Sequence, residues 1–247
     1  MTDFKCEITY SSKIDIKLEK KIMKCFNETF NQSKPQKYFK WKYKDNPFGE
    51  SIHVLIYFEN ELVSTRVFWR LDVNQEKSYQ CVDTTVSPLF QGRGLFRIST
   101  EKALEILNHE RIFNYPNSKS YPAYLKLGWK KNLPSQIKFN FSYKIEKYAP
   151  FINWGIEKLV WRFKDNPNTE YFSFYSNNYN IILRKKRGLF ICLGKTKFEL
   201  GLKKVKPIVI FSYDNDFKGL RVPFKRNFTV SKNFTNEKIH FYNYDMM

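Results

Sequence analysis

A chain of 247 residues is long enough to bury a sizeable core without disulfide or metal staples. Its 42% apolar and 18% aromatic content, with 9 Gly and 10 Pro, excludes a disordered or collagen-like chain. Lys and Arg outnumber Asp and Glu by 43 to 24, a formal charge of +19 that draws nucleic acid, anionic membrane surfaces or small polyphosphates, although evenly spread lysines also fit a plain solvated surface.

Residues 1–10 include Asp3, Lys5 and Glu7, and no apolar run approaches the roughly 18 residues of a membrane span. The sequence therefore predicts no signal peptide, no membrane span and a cytoplasmic setting. Cys6, Cys25, Cys81 and Cys192 lack the paired short spacing of a zinc site, so they are expected to be reduced and mostly buried, and no metal is expected.

Leu18, Ile22, Cys25, Phe26 and Phe30 fall at helical spacing and predict an amphipathic helix from Asp15 to Phe30. The β-branched and aromatic runs from Ile52 to Phe58 and from Leu62 to Leu71 predict a hairpin around Glu59-Asn60-Glu61. A third strand is predicted from Ser78 to Val86, ending before Pro88, which cannot donate to a sheet. After a glycine turn, helical spacing resumes from Leu95 to Leu107, and Arg111 to Tyr115 reads as the next strand. Strand, glycine turn, helix and strand in that order imply an α/β domain.

Near residue 130 a second set of elements begins. Trp161-Arg162-Phe163-Lys164-Asp165-Asn166-Pro167 echoes Trp41-Lys42-Tyr43-Lys44-Asp45-Asn46-Pro47, a Glu stands nine residues after each Trp, and a hairpin-like pair follows each copy. This predicts a degenerate structural repeat. The second copy has no counterpart of the glycine turn, so it is expected to have lost any site built there.

Glycines between a strand and a helix let backbone N–H groups converge at the positive end of the helix dipole, where phosphates bind. Gln91-Gly92-Arg93-Gly94-Leu95-Phe96 has that character, without the Lys-Ser/Thr of a Walker loop or the three glycines of a dinucleotide fingerprint. With the preceding Val82-Asp83-Thr84-Thr85-Val86-Ser87-Pro88 it resembles the central motif of the GNAT superfamily of acyl-CoA-dependent N-acetyltransferases: a strand ending in Val-x-Pro, then Arg/Gln-x-x-Gly-x-Gly/Ala. Phe96 departs from the usual Gly or Ala. The run from Asn117 through Ser120 and Tyr124 to Lys126-Leu127-Gly128-Trp129 is similar to the family's second signature. The Trp-x-Tyr-x-x-Asn-Pro segment at Trp41 and Phe113-Asn114-Tyr115-Pro116-Asn117 are similar to a branch met in surface-polysaccharide, amino-sugar biosynthesis.

The resemblance implies an α/β fold, a GNAT-like mixed sheet flanked by helices in residues 1–135, followed by a second, degenerate GNAT-like half in residues 136–247 that shapes the acceptor pocket. It implies acetyl-CoA as cosubstrate, its pyrophosphate held by the N–H groups of Gln91, Gly92, Arg93, Gly94, Leu95 and Phe96, its pantetheine arm along Thr85 and Val86, and further contacts from Asn117 and Ser120. Tyr124 stands where the family's hydroxyl protonates the departing thiolate. Asp83 is the candidate base, because an acid within an otherwise apolar and hydroxyl-bearing strand is costly unless paired or used. Strand alternation predicts Asp83 on the side of Cys81 and Thr85. His53, His109 and His240 lie in no recognisable base motif. The acceptor is expected to be a small amine, a nucleotide-linked amino sugar first. A peptide or protein amine, a non-catalytic nucleic-acid-binding scaffold and aminoacyl transfer from tRNA are the alternatives.

Overall fold

The structure is a computed structural model that describes residues 4–132, 136–214 and 229–234. The chain opens with a strand that the sequence reading omitted, β1 (Phe4–Tyr10), although its alternation of Phe, Cys and Ile with Lys, Glu and Thr is a strand pattern. The helix α1 (Ile16–Phe30) starts where the Asp15 carboxylate accepts the Leu18 N–H at 2.7 Å and stops at Asn31, which adopts the left-handed conformation. It buries Ile22, Cys25 and Phe26.

A short helix, α2 (Gln36–Phe39), widens directly into a π-turn at Lys40–Lys44. The predicted hairpin follows as β2 (Ile52–Phe58) and β3 (Glu61–Arg70), then β4 (Ser78–Val86), α3 (Leu95–Ile106), β5 (Arg111–Asn114), α4 (Tyr121–Lys126) and β6 (Lys130–Lys131). The second half contains β7 (Gln136–Phe141), α5 (Ser142–Tyr148) and α6 (Ile156–Leu159), the last running into a second π-turn at Val160–Lys164. Next come β8 (Tyr171–Ser176), β9 (Tyr179–Lys186), β10 (Leu189–Thr196), β11 (Lys203–Lys204), β12 (Val209–Asp214) and β13 (Val230–Lys232).

The sequence echo is a structural one. Each copy forms a short helix, a π-turn and an antiparallel hairpin, and the strand that follows each hairpin pairs antiparallel with it and parallel with a later strand, β4 with β5 and β10 with β12. Two sheets result, in the orders β1-β2-β3-β4-β5-β13-β6 and β11-β8-β9-β10-β12-β7. One strand crosses between the halves: β7 pairs antiparallel with β12 within the second half, while β13 returns to the first sheet and pairs antiparallel with β5 and β6. The first sheet is therefore completed by a strand from the second half, β13, which joins β5 to β6.

One apolar core crosses the boundary. Trp41, Phe48 and Trp69 from the first half pack with Trp154, Trp161 and Leu200 from the second. A separate cluster on the other face of the first sheet joins Phe68, Cys81, Ala103, Tyr124 and Trp129. His53 is wholly buried beside Phe39 and Tyr43, His109 is exposed, and His240 lies outside the described residues. No described helix is long and apolar enough to cross a membrane.

Candidate active site

The central feature is a divergence of two parallel strands. β4 and β5 pair only through Ser78–Arg111, Tyr79–Ile112 and Gln80–Phe113. Beyond Gln80 the strands part, leaving one backbone edge of β4 open to a cleft of about 1010 Å³. Among the residues lining it are Asp83, Thr84, Val86, Gln91, Gly92 and Gly94.

The glycine turn sits at the end of that edge. Gly92 and Gly94 have φ of 78° and 77°, a region costly to residues with a Cβ, and Gly94 forms the N-cap of α3. The first N–H groups of a twelve-residue helix are thereby presented at the cleft. The Gln91 amide donates to the Val86 carbonyl at 3.3 Å and ties the turn to the strand. Leu95 is buried under the turn and Phe96 lines the cleft. Arg93 is exposed, with its guanidinium 5.1 Å from the Phe90 ring centroid.

A bulge corrects the expected alternation of β4. Register against β3 shifts between Thr65 and Val67, and Asp83 adopts φ of 45°. Cys81 faces the cluster with Tyr124, while Asp83 turns to the opposite face, where Thr85 contacts Cys25 of α1 at 3.1 Å. Asp83 therefore shares a side with Thr85 and not with Cys81. Both of its carboxylate oxygens accept from the Lys42 ammonium at 2.9 Å, and Oδ2 also accepts from the Tyr43 hydroxyl. Lys42 is fully buried. Burial alone would push its ammonium down; the Asp83 carboxylate, aided by Tyr38, outweighs that and leaves it above the usual lysine range.

Thr85 turns its side chain inward, where the hydroxyl meets the Thr65 N–H and hydroxyl, while Val86 borders the cleft. Asn117 caps the turn before α4: its side-chain oxygen accepts from the N–H groups of Lys119 and Ser120 at 3.0 and 2.9 Å. That turn positions Tyr124, whose hydroxyl oxygen accepts from Arg66 Nη2 at 2.9 Å and from Asn114 Nδ2 at 2.6 Å. Both partners are donors, so neither uses the hydroxyl proton. Burial raises the Tyr124 phenol well above its usual value, with Arg66 opposing.

Sequence reasoning missed Lys42, Tyr43, Arg66 and Asn114. Arg66 had a signal: like Asp83, it is a charge inside an apolar strand, and the structure buries it completely, stacked 4.4 Å over the Phe96 ring. Among the described residues the second half shows no equivalent opening. β10 pairs with β12 only at Ile191 and Cys192, but the segment 150–152 then runs along β10: Lys195 N–H donates to the Pro150 carbonyl at 2.8 Å and Ile152 N–H to the Lys195 carbonyl at 2.9 Å.

Solved structures show the same architecture. A GCN5-related N-acetyltransferase from Kribbella flavida superposes with a TM-score of 0.59 at 8% identity, over 93% of this chain and 70% of that one. The fold is that of the GCN5-related N-acetyltransferases. A second such protein, from Anabaena variabilis, gives 0.57 at 8% identity over 91% and 72%, and a conserved Enterococcus faecalis protein of unknown function gives 0.58 at 12% over 93% and 72%. No family model and no curated protein matches the chain by sequence. The GNAT likeness therefore lies in the fold, extends over nearly the whole chain and includes both sheets.

Proposed function

We propose that this protein is an N-acetyltransferase that moves an acetyl group from acetyl-CoA to the amine of a small acceptor, a nucleotide-linked amino sugar, by direct attack in a ternary complex. The observation that carries this reading is the open edge of β4 beyond Gln80, ending at the glycine turn that heads α3. A pantetheine arm completes such an edge with main-chain bonds, and the turn presents N–H groups to a pyrophosphate. Gln91 to Phe96, with Val86, bind the cofactor; Arg93 adds charge beside the turn, and Thr85 fixes the strand from behind. Asn117 and Ser120 shape the turn that borders the cofactor arm.

In the transfer, the neutral amine attacks the thioester carbonyl carbon, the C–N bond forms, and the C–S bond breaks. Backbone N–H groups near Val86 stabilise the oxyanion. The Tyr124 hydroxyl gives its proton to the leaving thiolate, and Asp83 takes the one proton that the nitrogen of the neutral amine sheds as the C–N bond forms. Residues 1–135 carry the cofactor site and residues 136–247 the far wall of the acceptor pocket, in a cytoplasmic enzyme.

Calorimetric titration with acetyl-CoA tests the reading without knowledge of the acceptor. Stoichiometric binding at micromolar concentration, weakened in Arg93→Glu, supports it. Folded protein that takes up neither acetyl-CoA nor CoA rejects it.

A further inference from the structure

Gln80 stands at the fork where β4 leaves β5: it is the last residue of β4 in register with β5, and it lines the cleft. Its side chain alternates with that of Cys81, so it rises from the face of the sheet that carries Asp83 and not from the Tyr124 side. Its register partners, Trp69 on β3 and Phe113 on β5, are fully buried in the aromatic core that the two halves share. An amide is out of place in that floor. Gln80 is 1% exposed, and its side-chain oxygen is buried with no hydrogen-bond partner among the described residues. The indole donors of this core are committed elsewhere: Trp69 donates to the Lys42 carbonyl at 2.8 Å, and Trp41, which also lines the cleft, donates to the Trp161 carbonyl at 2.8 Å.

We propose that the Gln80 amide determines acceptor specificity: it hydrogen-bonds a hydroxyl of the molecule whose amine meets Asp83, and so selects a polyhydroxylated amine, a sugar, over a plain alkyl amine. A buried polar group without a partner is costly, and a ligand hydroxyl at the fork removes that cost. A terminal amide carries one acceptor and two donors, and a half-turn of its last torsion brings either end toward the cleft, so it serves a hydroxyl in both roles.

The spacing suits one small molecule. Gln80 and Asp83 are three residues apart, at most about 10 Å along a strand, a distance that a six-membered ring covers with a hydrogen bond at each end. Tyr38, Trp41 and Tyr115 line the same cleft, giving aromatic surface to the C–H faces of such a ring while the amide meets its hydroxyl edge. An amine without hydroxyls leaves the amide unpaired, and a site built to bond a hydroxyl rejects such an analogue strongly.

This proposal deepens the acyl-transfer reading and rests on it for the placement of the amine. The test is ligand-observed nuclear magnetic resonance titration of full-length protein saturated with CoA, with glucosamine and cyclohexylamine as separate probes. Gln80→Met keeps the length of the side chain and removes both amide groups. It should weaken glucosamine about tenfold or more and leave cyclohexylamine and CoA within about threefold of wild type. Its urea midpoint should equal or exceed that of wild type, because the variant removes a buried group that has no partner in the fold. A structural glutamine gives the opposite pattern: a variant that fails to fold, or that unfolds at lower urea with glucosamine affinity intact, overturns the proposal. Wild type that takes CoA but not glucosamine also overturns it and leaves acyl transfer standing. If folded protein takes no CoA, acyl transfer falls, while glucosamine binding that Gln80→Met weakens still upholds the hydroxyl contact.

Discussion

Trp41 and Trp161 donate their indole N–H groups to each other's backbone carbonyl, at 2.8 and 2.9 Å, with the rings stacked 5.2 Å apart. The two residues stand second in equivalent π-turns, so the repeat meets itself across a local pseudo-twofold contact in the core. Trp41→Phe keeps most of the ring and removes one donor, leaving the buried Trp161 carbonyl without that bond. The expected loss is about 1–3 kcal/mol in denaturant unfolding, and the same for Trp161→Phe. Because β13 of the second half also completes the first sheet, the wild type should unfold in one transition by near-UV and far-UV circular dichroism alike. Two separated transitions would show that the halves are independent.

Lys42 and Asp83 form a pair in which one partner is fully buried and the other touches the cleft. Asp83→Asn leaves an ammonium buried without its carboxylate and should cost about 3–5 kcal/mol, whereas Lys42→Met with Asp83→Asn should recover much of that loss. Asn also tolerates the positive φ at this position, which separates the charge effect from backbone strain. The sign with pH follows from the raised Lys42 value: its contribution is complete below about pH 10.5, the unfolded lysine range, and is lost as pH rises through the folded value. A double variant no more stable than Asp83→Asn would refute the charge-pair account.

The strand and helix limits of the first half were legible because periodicity and breakers agree there. Ser78 to Val86 is β4 as predicted, and Asp15 and Asn31 mark the ends of α1. The bulge was not legible. An alternating strand gives no local signal that Asp83 will take φ of 45°, because a bulge is fixed by the neighbouring strand's register and by the Lys42 ammonium that arrives from 41 residues away. The return of β13 to the first sheet was hidden for a similar reason: the strand is short, and only tertiary pairing decides which sheet receives it. The glycine turn and Tyr124 were readable from motif spacing, yet Arg66 and Asn114, which hold the tyrosine, come from two different strands and reach it through the fold.

His53 is fully buried on β2, with neither ring nitrogen bonded to protein among the described residues. Burial lowers its pKa to about 3; Asp83 opposes this, while Lys44 and Lys42 add to it. The unfolded chain binds the histidine proton below about pH 6.5, whereas the folded chain resists it down to about pH 3. His53 therefore favours the native state fully above pH 6.5, and that advantage is withdrawn as pH falls, by at most about 1.4 kcal/mol per pH unit. Comparing urea unfolding of wild type and His53→Gln from pH 7 to pH 4 isolates the term. The variant's stability should fall less steeply, and parallel curves would show that His53 already titrates normally in the native protein.

Tyr124 combines a raised phenol with two donors aimed at its oxygen, which suits a group that must give up a proton and then carry the resulting charge briefly. Arg66 and Asn114 would stabilise the phenolate as it forms, while burial keeps the phenol protonated beforehand. Tyr124→Phe should reduce kcat by about 10²–10³-fold at neutral pH and change acetyl-CoA affinity by no more than about threefold, since the ring that packs on Phe96 and Trp129 remains. With the phenol raised, the wild-type rate should show no fall between pH 8 and about pH 10, the ordinary tyrosine range. A structural tyrosine would behave differently: Tyr124→Phe would lower thermal stability and leave kcat within about twofold once the folded fraction is matched. Stopped-flow measurement of thiol release, compared with acetyl-CoA titration on the same folded preparation, separates these outcomes.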